Sequence, residues 1–136
     1  MESKIKSHTI LTMASFLLAI SIVLGALAAH ALKQKLEPNM FNTFQVGVHY
    51  HQLQSLGLLF LGLFLYLKPN AFFKLKYPLL LHVVGLMLFS GNCYLYAISQ
   101  VKFFVHLVPV GGMLMIVAWF WTAFCFGENE SNIPTT

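Results

Sequence analysis

Residues 9–32 read TILTMASFLLAISIVLGALAAHAL, a stretch without a single Asp, Glu, Lys or Arg. A helix that crosses a bilayer needs about 20 mostly apolar residues. Hydrocarbon offers no water to peptide groups, so they must pair internally, and a helix does this within one segment. Lys4 and Lys6 stand before the run and Lys33 and Lys35 after it, where a spanning helix re-enters water. Three more runs have spanning length: 44–67, whose first third is polar, 79–99, and 104–126, with Phe104 or Pro109 as its start. All are continuous rather than alternating, which disfavours the strands of a barrel. The expected fold class is all-α, an integral membrane bundle of four transmembrane helices in a single domain over 1–136.

Composition agrees. Hydrophobic residues make up 58% of the 136 and charged residues 9%, against about 25% charged in a typical soluble domain. So few charges would not cover a soluble surface. The formal charge is +4, yet every basic residue is Lys and each lies at the edge of an apolar run. Nucleic-acid binding would call for Lys and Arg clustered on one face, so no nucleic-acid partner is expected; the lipid bilayer is.

The links carry turn chemistry. Pro38-Asn39 breaks the first, Pro69-Asn70 opens the second and Pro78 closes it, and the third, around Gln100 to Lys102, is short. The tail, 127–136, is polar, contains Pro134 and is expected to be disordered. Lys4 and Lys6 followed by small-x-small triplets near Ala28 resemble a cleavable leader, but the apolar run exceeds the usual 7–15 residues of a signal core, so a retained span is expected. Four spans place both termini on one side. That side has Lys4, Lys6, Lys68, Lys74 and Lys76, and the other has Lys33, Lys35 and Lys102, which favours cytoplasmic termini. Cys93 and Cys125 fall near opposite ends of their helices, too far apart in depth for a disulfide.

At about 100° per residue the first helix has two rows of small side chains. One is Ala14, Ser21, Gly25 and Ala28; the other is Ser15, Ala19 and Ala26, ending at His30. Small rows let membrane helices approach closely, so the first helix is expected to have two neighbours. The fourth carries Gly111, Ala118, Thr122 and Cys125 at the same offsets as the first row, and the two rows are expected to face each other. Tyr66, Tyr77, Tyr94, Tyr96 and Trp121 read as an interfacial belt.

No charged residue lies inside a span, which argues against proton pumping and ion-coupled transport. The candidate polar groups are His30, His49, Tyr50, His51, Gln54 and His106, which helix direction places on the side away from the termini, with His8 and His82 on the other side. Imidazoles from several helices at one level can bind haem iron, zinc or copper. His49 and His51, however, point about 160° apart on a helix, and there is no HExxH and no Cys-rich ligand set. No metal and no cofactor is assigned. His30 and Tyr50 are expected to meet near Pro109–Gly112 in a hydrogen-bonded cluster. Asn92, inside a span, is expected to bond across the bundle or within an oligomer, because an unpaired amide in hydrocarbon is costly.

Several motifs occur in order. Gly25-Ala26-Leu27-Ala28-Ala29-His30-Ala31-Leu32 fits G-A-x-G-A-H-x-L except at Ala28. Phe89-Ser90-Gly91 with Tyr94 fits F-S-G-x-x-Y. Pro109, Gly111 and Gly112 fit P-x-G-G, followed by Trp119. On these residues, and on Tyr50 opening the second span, the chain resembles the family of small bacterial membrane proteins known as domain of unknown function 423, related to eukaryotic transmembrane protein 256. Gln54 stands where that family often has His, which removes the partner that a fixed pair with His30 would need. The resemblance implies an uncleaved multi-pass protein of the plasma membrane (the bacterial inner membrane) and no particular activity.

The expected function is therefore that of a non-enzymatic multi-pass membrane protein, a packing or accessory component that forms a homo-oligomer or joins a larger membrane complex. A second reading is a binder of a small ligand or cofactor (haem, metal or quinone) at the His30/His49/His51/Tyr50 level. A third is a passive or His-gated transporter of small molecules.

Overall fold

The computed structural model describes the backbone of residues 2–127 and the side chains of residues 7–127. Every element among them is helical. Helix α1 (Glu2–Leu27) runs straight into a π turn, Ala28–Leu32; α2 is Pro38–Leu67; a 3₁₀ turn, Pro69–Ala71, leads to α3 (Phe72–Leu86). A second π turn, Met87–Gly91, joins α3 to α4 (Asn92–Ser99), and α5 is Lys102–Gly127. Four rods are long and apolar enough to cross a membrane: Ser7–Leu32, Pro38–Leu67, Pro69–Ser99 and Lys102–Gly127. The tail residues 128–136 lie outside the described residues.

The spans begin earlier than the sequence suggests, and proline is the reason. Pro38 starts α2 instead of breaking the chain before it; at the first helical position its missing N–H has no intrahelical acceptor to lose. Pro78 lies within α3, and Pro109 within α5. A proline inside a helix leaves the carbonyl four residues back without its usual donor. For Pro78 that carbonyl belongs to Lys74, and it accepts a hydrogen bond from the Cys125 thiol of α5 at 3.5 Å. Gln100 ends α4 in the left-handed region, φ 58°, with its N–H on the Tyr96 carbonyl at 2.8 Å. That cap lets α5 begin two residues later.

The spans alternate in direction. Leu11 lies against Gly62, and Phe64 packs edge-on to Phe126 with ring centroids 4.8 Å apart. The start of α1 and the end of α5 therefore share one end of the bundle. The second and third spans are the most buried; α1 packs on α2, and α5 packs on α3, its π turn and α4.

This arrangement corrects two expectations. The rows on α1 and α5 do not face each other. Ala14, Ser21 and Ala28 are fully buried on the α2 side, whereas Ala118 and Thr122 belong to the contact between α5 and the third span. The second α1 row, Ser15, Ala19, Ala26 and His30, is exposed throughout, so only the first row packs, chiefly on α2, and the third span meets α1 at the Pro69–Ala71 turn. The tightest crossing is at Gly111, where a Cβ would sit 2.4 Å from the Phe89 backbone nitrogen. No side chain fits there without separating α5 from the third span.

Leu58, Leu61, Leu65, Leu75, Leu79 and Leu86 form the larger apolar cluster, together with Ala14, Leu17 and Cys125. A smaller one, Ala28, Phe44, Val48 and Ala97, closes the other end. Cys93 and Cys125 are both buried, and no disulfide joins them.

Candidate functional site: a polar chain across three helices

Three of the buried polar residues, from three helices, meet in the bundle. Gln54 on α2 is 4% exposed, His82 on α3 is 1% exposed and Thr122 on α5 is 1% exposed. The Trp119 indole N–H donates to Gln54 Oε1 at 3.1 Å. Indole nitrogen is donor-only, which fixes the orientation of the Gln54 amide. Its NH₂ then donates to His82 Nδ1. The proton of a neutral His82 is thereby placed on Nε2, which faces Thr122 Oγ1 at 3.3 Å. Four side chains from three helices form one directed chain.

Packing holds the chain in place. The edge of the Trp119 ring abuts α2 at Gly57, where a Cβ would come within 2.5 Å of it. The His82 ring also meets Trp119, edge-on at 4.5 Å. Beside it a groove of about 300 Å³ opens outward, with Tyr50, Leu53, Phe89 and Trp119 as walls and Gln54 among its lining residues. Chemically the chain presents neutral groups paired with one another, and its evident effect is to tie α2, α3 and α5 together.

The sequence candidates are distributed as follows. Gln54 and Trp119 belong to the chain. Tyr50 is 41% exposed and packs edge-on to Phe89 at 4.8 Å, which brings it beside Gly112 in the groove. His30 does not join it. His30 is exposed on the π turn of α1 and makes no side-chain hydrogen bond among the described residues, because it ends the row that faces away from the bundle. His49 is exposed and packs on Tyr50 at 5.6 Å. His106 is exposed, and its Nδ1 donates to the Lys102 carbonyl at 2.6 Å, one turn back in α5. The expected His level is thus dispersed over separate surfaces, and among the described residues no three His, Cys, Asp or Glu side chains come together as a metal site.

His51 is the one candidate histidine that is buried; its Nδ1 lies 3.1 Å from the Tyr94 hydroxyl. Tyr94 consequently points inward and is no part of an interfacial belt, whereas Tyr66, Tyr77 and Trp121 are exposed near helix ends. Asn92 donates to the Leu88 carbonyl of its own helix at 2.6 Å. A polar side chain can reach the carbonyl four residues back in its own helix, so the amide is satisfied without a partner helix. Gly25 and Ser90 lie at close contacts, Gly25 on Val48 and Ser90 buried at the π turn.

Sequence reading missed His82 as a member of the site. Taking Pro78 as a break placed His82 at the membrane surface; with α3 starting at Phe72 it lies ten residues in, about 15 Å along the helix. The signal was present. Leu75, Leu79, His82, Leu86 and Ser90 recur at helical spacing and are all buried, so His82 occupies a core position in an otherwise apolar row.

An all-helical bundle of four spans, with a core of leucines and internally paired polar groups, defines a multi-pass membrane protein. The comparisons give its family. Residues 24–112 match the family described as "Protein of unknown function (DUF423)", and the chain belongs to it. It is 32% identical over 100 residues to the UPF0382 membrane protein YwdK of Bacillus subtilis, covering 74% of this chain and 80% of that protein. It is 30% identical over 110 residues to a UPF0382 membrane protein of Haemophilus influenzae, 81% and 86% of the two chains. It is also 28% identical over 100 residues to the UPF0382 inner membrane protein YgdD of Escherichia coli, 74% and 75% of the two. No solved structure matches. The matched region contains both π turns, which hold the His30 motif and the Phe89-Ser90-Gly91 motif.

Proposed function

We propose that the chain is a non-enzymatic component of the bacterial inner membrane that acts by packing the outward face of α1 against another transmembrane helix. One observation carries this reading. Ser15, Ala19 and Ala26 form an exposed row on α1, on the side opposite Ala14, Ser21 and Ala28. Ser15 and Ala19 have the small-xxx-small spacing that lets two helix backbones approach closely. The outward face of α5 is different: Ile116, Phe120 and Phe124 are exposed, and such bulky side chains suit lipid. The pairing of Gln54, His82, Thr122 and Trp119 with one another supports a structural role for the interior polar groups.

The inner-membrane placement rests on the likeness to the Escherichia coli inner membrane protein YgdD. Cytoplasmic termini rest on the lysine positions, with Lys4, Lys6, Lys68, Lys74 and Lys76 at the end where α1 starts and α5 finishes.

Cysteine crosslinking in native membranes tests the packing face. Ala19→Cys and Ala26→Cys are expected to give oxidised dimers, or an adduct to a second protein, where Phe120→Cys on α5 gives none. Ala19→Leu is expected to dissociate the assembly seen by native mass spectrometry. Crosslinking no better at the α1 positions than at Phe120 would sink the proposal.

A further inference from the structure

The link between α2 and α3 borders an open cavity of about 620 Å³, at the end of the bundle where α1 starts and α5 finishes. Leu67, Lys68, Asn70 and Lys74 are among its lining residues. Unlike the groove beside Trp119, this cavity has mostly polar walls. Its charges have one sign: Lys68 and Lys74 are exposed, and no Asp or Glu is among its described lining residues.

The level of the cavity follows from its neighbours. The second span ends at Leu67, so Lys68 is the first residue beyond it. Tyr66, Tyr77 and Trp121 are exposed at the same end, with the Tyr77 and Trp121 rings stacked at 6.2 Å. Exposed Tyr and Trp sit at headgroup level. Lys68 Nζ lies 5.8 Å from the Phe64 ring, one turn back in α2, near the outer limit of a cation–π contact, which keeps the ammonium at that level. An apolar path leads from there into the bilayer. Leu67 lines the cavity, and one turn below it Leu63 belongs to a shallow groove of about 320 Å³ shared with Leu11, Leu56, Leu59 and Phe60. At about 100° per residue, Leu56, Phe60, Leu63 and Leu67 fall within about 60° of one another on α2, and all four are exposed. Groove and cavity thus share one face. From Leu56 to Leu67 the helix rises about 16 Å, roughly the hydrocarbon depth of one leaflet.

We infer that the α2–α3 link binds an anionic phospholipid, its phosphate held by Lys68 and Lys74 and an acyl chain laid along Leu67, Leu63 and Phe60. Two ammonium groups attract a headgroup of net negative charge and repel the cation that a zwitterionic headgroup carries. The phosphate site is on the link, apart from Ser15, Ala19 and Ala26, so this inference and the packing proposal fail separately.

The test uses the full chain in maltoside micelles, titrated with dioleoylphosphatidylglycerol, dioleoylphosphatidylcholine or glycerol 3-phosphate. Native mass spectrometry reads the retained probe, and thermal unfolding reads stabilisation. Phosphatidylglycerol is expected to be retained saturably and to raise the melting temperature, and the other two are not. Lys68→Gln and Lys74→Gln are each expected to weaken its binding about fivefold, and Lys68→Arg to preserve it. Lys76→Gln removes the same charge from the same end, but Lys76 Nζ lies over the Tyr77 ring at 4.6 Å, and its loss is expected to change binding less than about twofold. All three lysines are exposed, so the variants fold. Equal losses in the three Lys→Gln variants would reveal diffuse attraction in place of a site, and native affinity in both cavity variants would leave the lysines without a role; either result overturns the inference. So does failure to retain phosphatidylglycerol, equal retention of phosphatidylcholine, which removes the role of charge, or equal retention of glycerol 3-phosphate, which removes that of the acyl chain.

Discussion

His82 and His30 show how surroundings, not residue type, set the cost of a substitution. His82→Leu removes the acceptor for the Gln54 amide and the donor facing Thr122 Oγ1. Leaving buried polar groups unpaired costs about 1–3 kcal/mol. His30 is exposed on the π turn of α1, and His30→Leu is expected to change stability by no more than about 0.5 kcal/mol. Thermal unfolding in detergent of the two variants beside the native chain measures both. A larger loss in the His30 variant would contradict the assignment. The sequence placed His30 correctly at a helix end and on a row of small residues. It offered no means of choosing which of the two α1 rows is buried, because that depends on where α2 lies, a tertiary fact that no local pattern encodes.

The elements were legible in their number and less so in their limits. Spanning length and flanking lysines follow from hydrophobicity, which one sequence displays fully. Proline, by contrast, has two meanings: Pro38 begins a helix and Pro78 lies inside one. What settles the second case is a residue 47 positions further along, since Cys125 of α5 donates to the Lys74 carbonyl that Pro78 leaves unmatched. This makes the two positions energetically coupled. Cys125→Ala is expected to destabilise the native chain but to cost less in a Pro78→Ala background, where a restored N–H takes the Lys74 carbonyl. A double-mutant cycle should return a coupling of roughly 0.5–1 kcal/mol. Strict additivity would show that the thiol contact contributes nothing to the tolerance of Pro78.

For the whole molecule, alternation of the four spans makes a prediction about sidedness. Single cysteines replacing Lys33 and Lys102 should react with an impermeant maleimide from one face of the membrane, and those replacing Lys68 and Lys76 from the other. Mixed labelling within either pair would disprove the antiparallel order seen in the contacts of Leu11 with Gly62 and of Phe64 with Phe126. The π turn at Met87–Gly91 bears on the same architecture in another way. A π turn is an α-helix that has accepted one extra residue, and each residue turns a helix by about 100°. The third span is thus two screws out of phase: α3 is set to present His82 to Gln54, and α4 is set to present Tyr94 to His51. Deleting one residue from the turn would not merely shorten the rod. It would remove the residue that the turn has absorbed, return the rod to plain α winding and leave Tyr94 toward His51 and His82 toward Gln54, whereas a deletion in the regular winding of α3 after His82 would swing Tyr94 about a quarter-turn off His51.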